Sequence, residues 1–170
     1  MTWLRALAGA ALVVVALLLQ VSVFAQVAWH GIVPNLCLLV VVGAALTRGP
    51  QFAMTLGFAA GVLLDLAPPA DHVAGRWALA LVLVGYVAGR VRQDVRPSAL
   101  GVVATVGAAS FLGTSVFALT GLLLGELTVG VPEMLEVIAV AVLWDVLLTP
   151  FVLPLVMRLL DRLEPASATA

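Results

Sequence analysis

Apolar residues fall in six long blocks along this chain, separated by short polar connections. The blocks run from Leu4 to Phe24, Ile32 to Thr47, Phe52 to Leu66, Trp77 to Val91, Ala99 to Leu124 and Met134 to Leu160. A helix crossing about 30 Å of hydrocarbon needs about 20 apolar residues, or about 17 when short. Each block therefore predicts a membrane helix. The second, third and fourth are short, which suits a thinned bilayer or shelter behind longer neighbours. The first block also shares features with a cleavable signal peptide, with Arg5 ahead of an apolar run and Val23-Phe24-Ala25 behind it. Its run exceeds the usual apolar core of about 7 to 15 residues, so it is expected to stay as an anchor. The longest hydrophilic stretches are Pro68 to Arg76, Arg90 to Pro97 and Asp161 to Ala170, none of them large enough for a soluble domain. The predicted fold class is all-α: residues 1–163 form one domain of six transmembrane helices, and 164–170 a short tail.

Charge orders these blocks. Seven of the eight basic side chains, Arg5, Arg48, Arg90, Arg92, Arg96, Arg158 and Arg162, fall at alternate block ends that share one side of the membrane; Arg76 alone falls on the other. That other side holds Asp65, Asp71, Glu126, Glu133 and Glu136. Cytoplasmic loops carry excess arginine and lysine, so both termini are predicted to be cytoplasmic. Trp3, Trp29 and Trp77 stand at block boundaries, the level that indoles favour, while Trp144 lies inside the last block and is expected to pack within the bundle. Composition agrees: 64% of residues are hydrophobic and 10% charged, with a mean hydropathy of +1.21. A net charge of −1 proposes no nucleic-acid partner. Cys37 is the only cysteine, and His30 and His72 lack zinc-site spacing, so neither a disulfide nor a metal or other cofactor is expected.

Three GxxxG pairs stand out: Gly57 with Gly61, Gly85 with Gly89, and Gly121 with Gly125. This spacing puts two glycines on one helix face, where another backbone can approach closely. The pairs are candidates for packing inside the bundle or for docking a partner helix. Asp145 lies mid-way along the last block, in LWDVLLTPFVLP. A carboxylate at that depth costs about 2.5 to 3.5 kcal/mol even on the lenient insertion scale, so it must face the bundle and find a partner or a proton. Pro150 and Pro154 follow, each depriving the helix of a donor, and a kink with irregular polar backbone near Asp145 is expected. Asp65 ends the third block one turn before Pro68 and Pro69, at a helix C-terminus whose dipole repels a carboxylate. It requires a donor. The expectation is a pair with Arg76, or a cap on N–H groups of the following loop or helix.

The chain resembles the MreD family of the bacterial rod-shape machinery. The matching stretches are VPNLCLLVVVGAALTRGP (33 to 50), GFAAGVLLDLAPP (57 to 69), GRWALALVLVGYVAGRV (75 to 91) and LWDVLLTPFVLPLVMRLLDRL (143 to 163). The resemblance implies a multi-pass protein of the bacterial cytoplasmic membrane, and a non-enzymatic scaffold of the elongation complex that supports peptidoglycan synthesis and cell shape. It implies MreC as direct partner, RodA and a class B transpeptidase within the same complex, and the MreB filament indirectly, besides membrane lipid. It also implies a fold similar to the S-components of energy-coupling-factor vitamin transporters, and an S-component is therefore the alternative function. Asp65, Asp71, His72, Arg76 and Glu126 would then converge on a ligand. For a scaffold, the GxxxG faces and exposed grooves would recruit the MreC helix, with Glu126, Glu133 and Glu136 orienting it. Arg90, Arg92 and Arg96 serve as topology signals, with anionic headgroups as a second role. Catalysis is not expected, because no nucleophile, base or phosphate loop occurs in a usable arrangement.

Overall fold

Proline and small polar residues set where the helices begin. In the computed structural model, which describes residues 2–68, 72–94, 98–126 and 130–162, six α-helices follow one another: α1 (Thr2–Ser22), α2 (Leu36–Arg48), α3 (Pro50–Leu66), α4 (Arg76–Asp94), α5 (Ala99–Leu123) and α6 (Val131–Asp161). A 3₁₀ turn, Phe24–Val27, follows α1. Pro50 opens α3 and Pro132 lies in the first turn of α6, where a missing N–H costs nothing. Ser98 caps α5 by accepting from Gly101 N at 3.0 Å. Asp71, Arg96 and the tail 164–170 lie outside the described residues.

The second helix departs most from the expected block. It begins at Leu36, four residues later than Ile32, because Asn35 is its N-cap and accepts from Leu38 N at 2.9 Å. Pro34 precedes it, and the residue before a proline is pushed out of the helical region. The remaining 13 residues make a helix about 20 Å long, which can bridge the hydrocarbon only when longer neighbours shelter its ends. Every residue from Leu36 to Ala45 is buried. α2 packs against each of the other helices and forms the axis of the bundle.

Around it, α3 and α4 make the closest pairing. α6 is the longest helix, 31 residues or about 46 Å, and remains helical through Pro150 and Pro154. Leu143, Leu147, Phe151 and Leu155 along it are exposed. α5 and α6 are each long and apolar enough to cross a membrane; Ala6–Ser22, Leu36–Arg48 and Pro50–Leu66 are apolar but shorter. Arg48, Arg90, Arg92 and Arg158 sit near the C-terminal ends of α2, α4 and α6, and α2 meets α6 where Arg48 Nη2 donates to Leu160 O. The starts of α4 and α6 and the end of α5 lie at the opposite end of the bundle.

Candidate functional site

Two buried carboxylates organise the polar interior, and both cap helix N-termini. Asp65 is 2% exposed. Its Oδ2 accepts from Gly75 N at 2.8 Å and Ala78 N at 3.1 Å, and its Oδ1 from Trp77 N at 3.0 Å. These are the leading N–H groups of α4, which have no partner within the helix. The positive end of the α4 dipole thus compensates the unfavourable position of Asp65 at the end of α3. Of the two arrangements expected for Asp65, the structure has the cap. His72 Nδ1 stands 3.8 Å from Asp65 Oδ1.

Arg76 pairs instead with Glu126. Its Nη1 donates to Glu126 Oε2 and its Nη2 donates to Phe117 O at 2.6 Å, while the guanidinium lies 3.9 Å above the Phe117 ring. Trp77 stacks on the same ring at 4.4 Å. Glu126 Oε1 also accepts from Val73 N at 2.6 Å. The expected rim of three glutamates therefore gives up Glu126 to a half-buried ion pair, because Arg76 is buried and requires a counter-charge.

The glycine pairs divide into two kinds. A Cβ on Gly57 would lie 2.5 Å from Leu81 O, one on Gly85 2.8 Å from Ala53 C, and one on Gly89 2.5 Å from Pro50 Cα; one on Gly61 would overlap the backbone of Ala78. These four glycines are buried where antiparallel α3 and α4 touch backbone to backbone. They face one another, so of their two possible roles they fill the internal one, and a docking helix has no access to them. Gly121 and Gly125 are not a helix-packing pair. Gly121 makes room for Arg76, since a Cβ there would lie 2.7 Å from the guanidinium carbon. Gly125 lies beyond α5 at φ +71, with Glu126 N donating to Gly121 O and Gly125 N to Leu122 O. That is a Schellman cap, which needs the left-handed backbone glycine permits.

Asp145 answers to a different helix end. It is 1% exposed, near the middle of α6. Oδ1 accepts from Asn35 N at 2.8 Å and Oδ2 from Ser110 Oγ at 2.7 Å. Gln20 Oε1 accepts from Leu36 N at 2.9 Å. A short helix that starts inside the bundle exposes N–H groups to an apolar interior, where each unpaired one costs several kcal/mol. Side chains from α6, α1 and the Asn35 cap itself accept from the N–H groups of Asn35, Leu36 and Leu38. A carboxylate at this depth was expected to face the bundle and find a partner or a proton, and the structure gives Asp145 two donors, from Asn35 and Ser110. Thr149 Oγ1 donates to the Asp145 carbonyl at 2.8 Å. Pro150 and Pro154 are themselves exposed on α6.

Gln20, Asn35 and Ser110 were not foreseen as site residues. Pro34-Asn35 ahead of an apolar run is a readable helix-start signal. Ser110 and Gln20 carry no comparable mark, since either could be a solitary polar residue turned toward a neighbouring helix.

Beyond geometry, residues 2–162 match the family model of the rod shape-determining protein MreD, nearly the whole chain. The chain belongs to the MreD family. No curated protein and no solved structure matches it. MreD proteins are membrane proteins with a shape-determining role, and the family is not one of known enzymes. Within this MreD chain, the polar interior is spent on capping helix starts.

Proposed function

We propose that the protein is a multi-pass scaffold of the cell-elongation complex in the bacterial cytoplasmic membrane, spanning it six times with both termini inside. The family match over residues 2–162 carries this reading. The polar interior supports it. Asp65, Arg76 and Glu126 direct their hydrogen bonds at one another's neighbourhood and at backbone, and Asp145 does the same deeper down. An S-component would need such groups directed at a vitamin. Here they hold the fold.

With the glycine faces consumed internally, the partner surface falls to exposed grooves. One of about 350 Å³ is lined by Trp29, Val140, Leu143, Trp144 and Leu147, along α6. His30 and Glu136 form an exposed pair, Nδ1 to Oε1 3.3 Å, at the level of Trp29. The MreC transmembrane helix would lie in this groove, held by dispersion, because lipid gives no hydrophobic drive between helices. RodA and the transpeptidase would join through the assembled pair, with MreB reached indirectly. Photo-crosslinkers at Leu143 and Leu147, compared with Leu79 on α4, test the surface in cells. Crosslinks to MreC from the first two alone are expected; crosslinks only from Leu79 would reject this face. Labelling of single cysteines placed at Ala74 and Arg92, with Cys37 replaced, reads the topology.

A further inference from the structure

At the arginine-bearing end, α2 passes into α3 through Gly49 alone. This turn and the last turns of α4 enclose a cleft of about 580 Å³, lined by Arg48, Gln51, Tyr86, Arg90 and Arg92 around the Gly49-Pro50 turn. Arg48 gives one nitrogen to Leu160 O, lies 5.4 Å over Phe52 and keeps Nε buried with no partner. Arg90 lies 5.2 Å over Tyr86. Arg92 Nη1 reaches within 3.6 Å of where a Gly49 Cβ would be. Among the described residues, none of the three guanidinium groups meets a carboxylate. Gly49 provides no side-chain cap for α3. Like charges gathered this closely repel unless an anion sits among them, and planar guanidinium groups suit phosphate oxygens.

We propose that this cleft binds the phosphate of an anionic membrane lipid. The lipid source follows from what adjoins the cleft. Tyr86, Leu83 and Leu79 on α4, at helical spacing, and Phe58 on α3, one turn beyond Met54, are all exposed and lead away from the arginines along the α3–α4 pair. That apolar lane accommodates acyl chains, which a free phosphate does not require. Basic pockets between membrane helices on the cytoplasmic side bind such headgroups. The inference rests on the multi-pass reading above, and supplies a ligand beside its protein partners.

The test uses the full chain reconstituted in nanodiscs of phosphatidylcholine containing a minor share of phosphatidylglycerol, with retained lipid measured by native mass spectrometry. The unaltered protein should favour phosphatidylglycerol by about tenfold. R90Q/R92Q should bring that preference close to unity, while R158Q, at the same end but away from the cleft, should keep it. Arg48 also ties α2 to α6, so R48Q is read only where Cys37 stays protected from maleimide. Unchanged preference in R90Q/R92Q overturns the site, as does equal loss in R158Q, which would indicate diffuse surface charge. Equal thermal stabilisation by millimolar inorganic phosphate without lipid would overturn the lipid source. MreC co-purification, measured on the same variants, is expected to persist in R90Q/R92Q, which separates the lipid site from the scaffold reading.

Discussion

Asp65 and Asp145 perform the same task at two depths. Each is almost fully buried, and each accepts from the start of a helix other than its own, Asp65 with both oxygens and Asp145 with Oδ1 while its Oδ2 takes the Ser110 hydroxyl. Asp65 caps α4, the helix that follows it in the chain, across a short connection at one end of the bundle. Asp145 caps α2, a helix 110 residues earlier, at mid-bundle. Near the end of the bundle a lost cap is replaced in part by water. At the centre it is not. The contrast teaches that an intramembrane carboxylate need not signal transport or catalysis, since a helix that begins inside a bundle is itself a demand for negative charge.

The comparison breaks most severely at Gly61. It lies one turn before Asp65 and lets Ala78 approach, which brings the α4 N–H groups within reach of the carboxylate. Gly61→Val should abolish recovery of folded protein, read by size-exclusion chromatography and by maleimide labelling of Cys37, which is 0% exposed in the fold. Next in size is Asp145→Leu, which leaves Asn35 N–H and Ser110 Oγ–H without an acceptor and should destabilise by about 2 to 4 kcal/mol in detergent unfolding. Asp145→Asn keeps an acceptor for Asn35 and should cost about 1 kcal/mol or less. A large loss with Asn would mean that the charge itself is required.

Asp65→Ala removes a cap that water partly restores and should cost about 1 to 2 kcal/mol. The smallest effects separate the ion pair from the cap. Arg76→Gln with Glu126→Gln should show a coupling of about 1 kcal/mol, whereas Asp65→Asn with Arg76→Gln should add within about 0.5 kcal/mol. Strong coupling in the second cycle would show that Asp65 senses the guanidinium directly.

Much of the fold was legible. The six apolar blocks coincide closely with six helices, and the chief error, the start of α2, came from reading Val33-Pro34-Asn35 as part of a span. Asp65 was legible because its donors lie within a few residues of Arg76, so chain proximity limited the choice. The need of Asp145 for a partner was legible but the partners were not, since its donors come from Asn35 and Ser110, which no local pattern links to it. The glycine spacing identified close contacts at Gly57, Gly61, Gly85 and Gly89. The same spacing misled at Gly121 and Gly125, because a left-handed helix end and space for an arginine use the same residue as a packed face.

By itself, the sequence determined an all-helical chain with apolar segments, their polarity of charge, and the need for partners at Asp65 and Asp145. These follow from local composition and from the energy of placing a charge in an apolar medium. Only the tertiary structure decided that the uniformly apolar second segment is the buried axis while the equally apolar α6 keeps an exposed face. Lipid and protein interior are alike in apolarity, so hydropathy cannot tell them apart. What separates them is which neighbours supply hydrogen bonds to a helix start, and that is settled by packing across the whole chain.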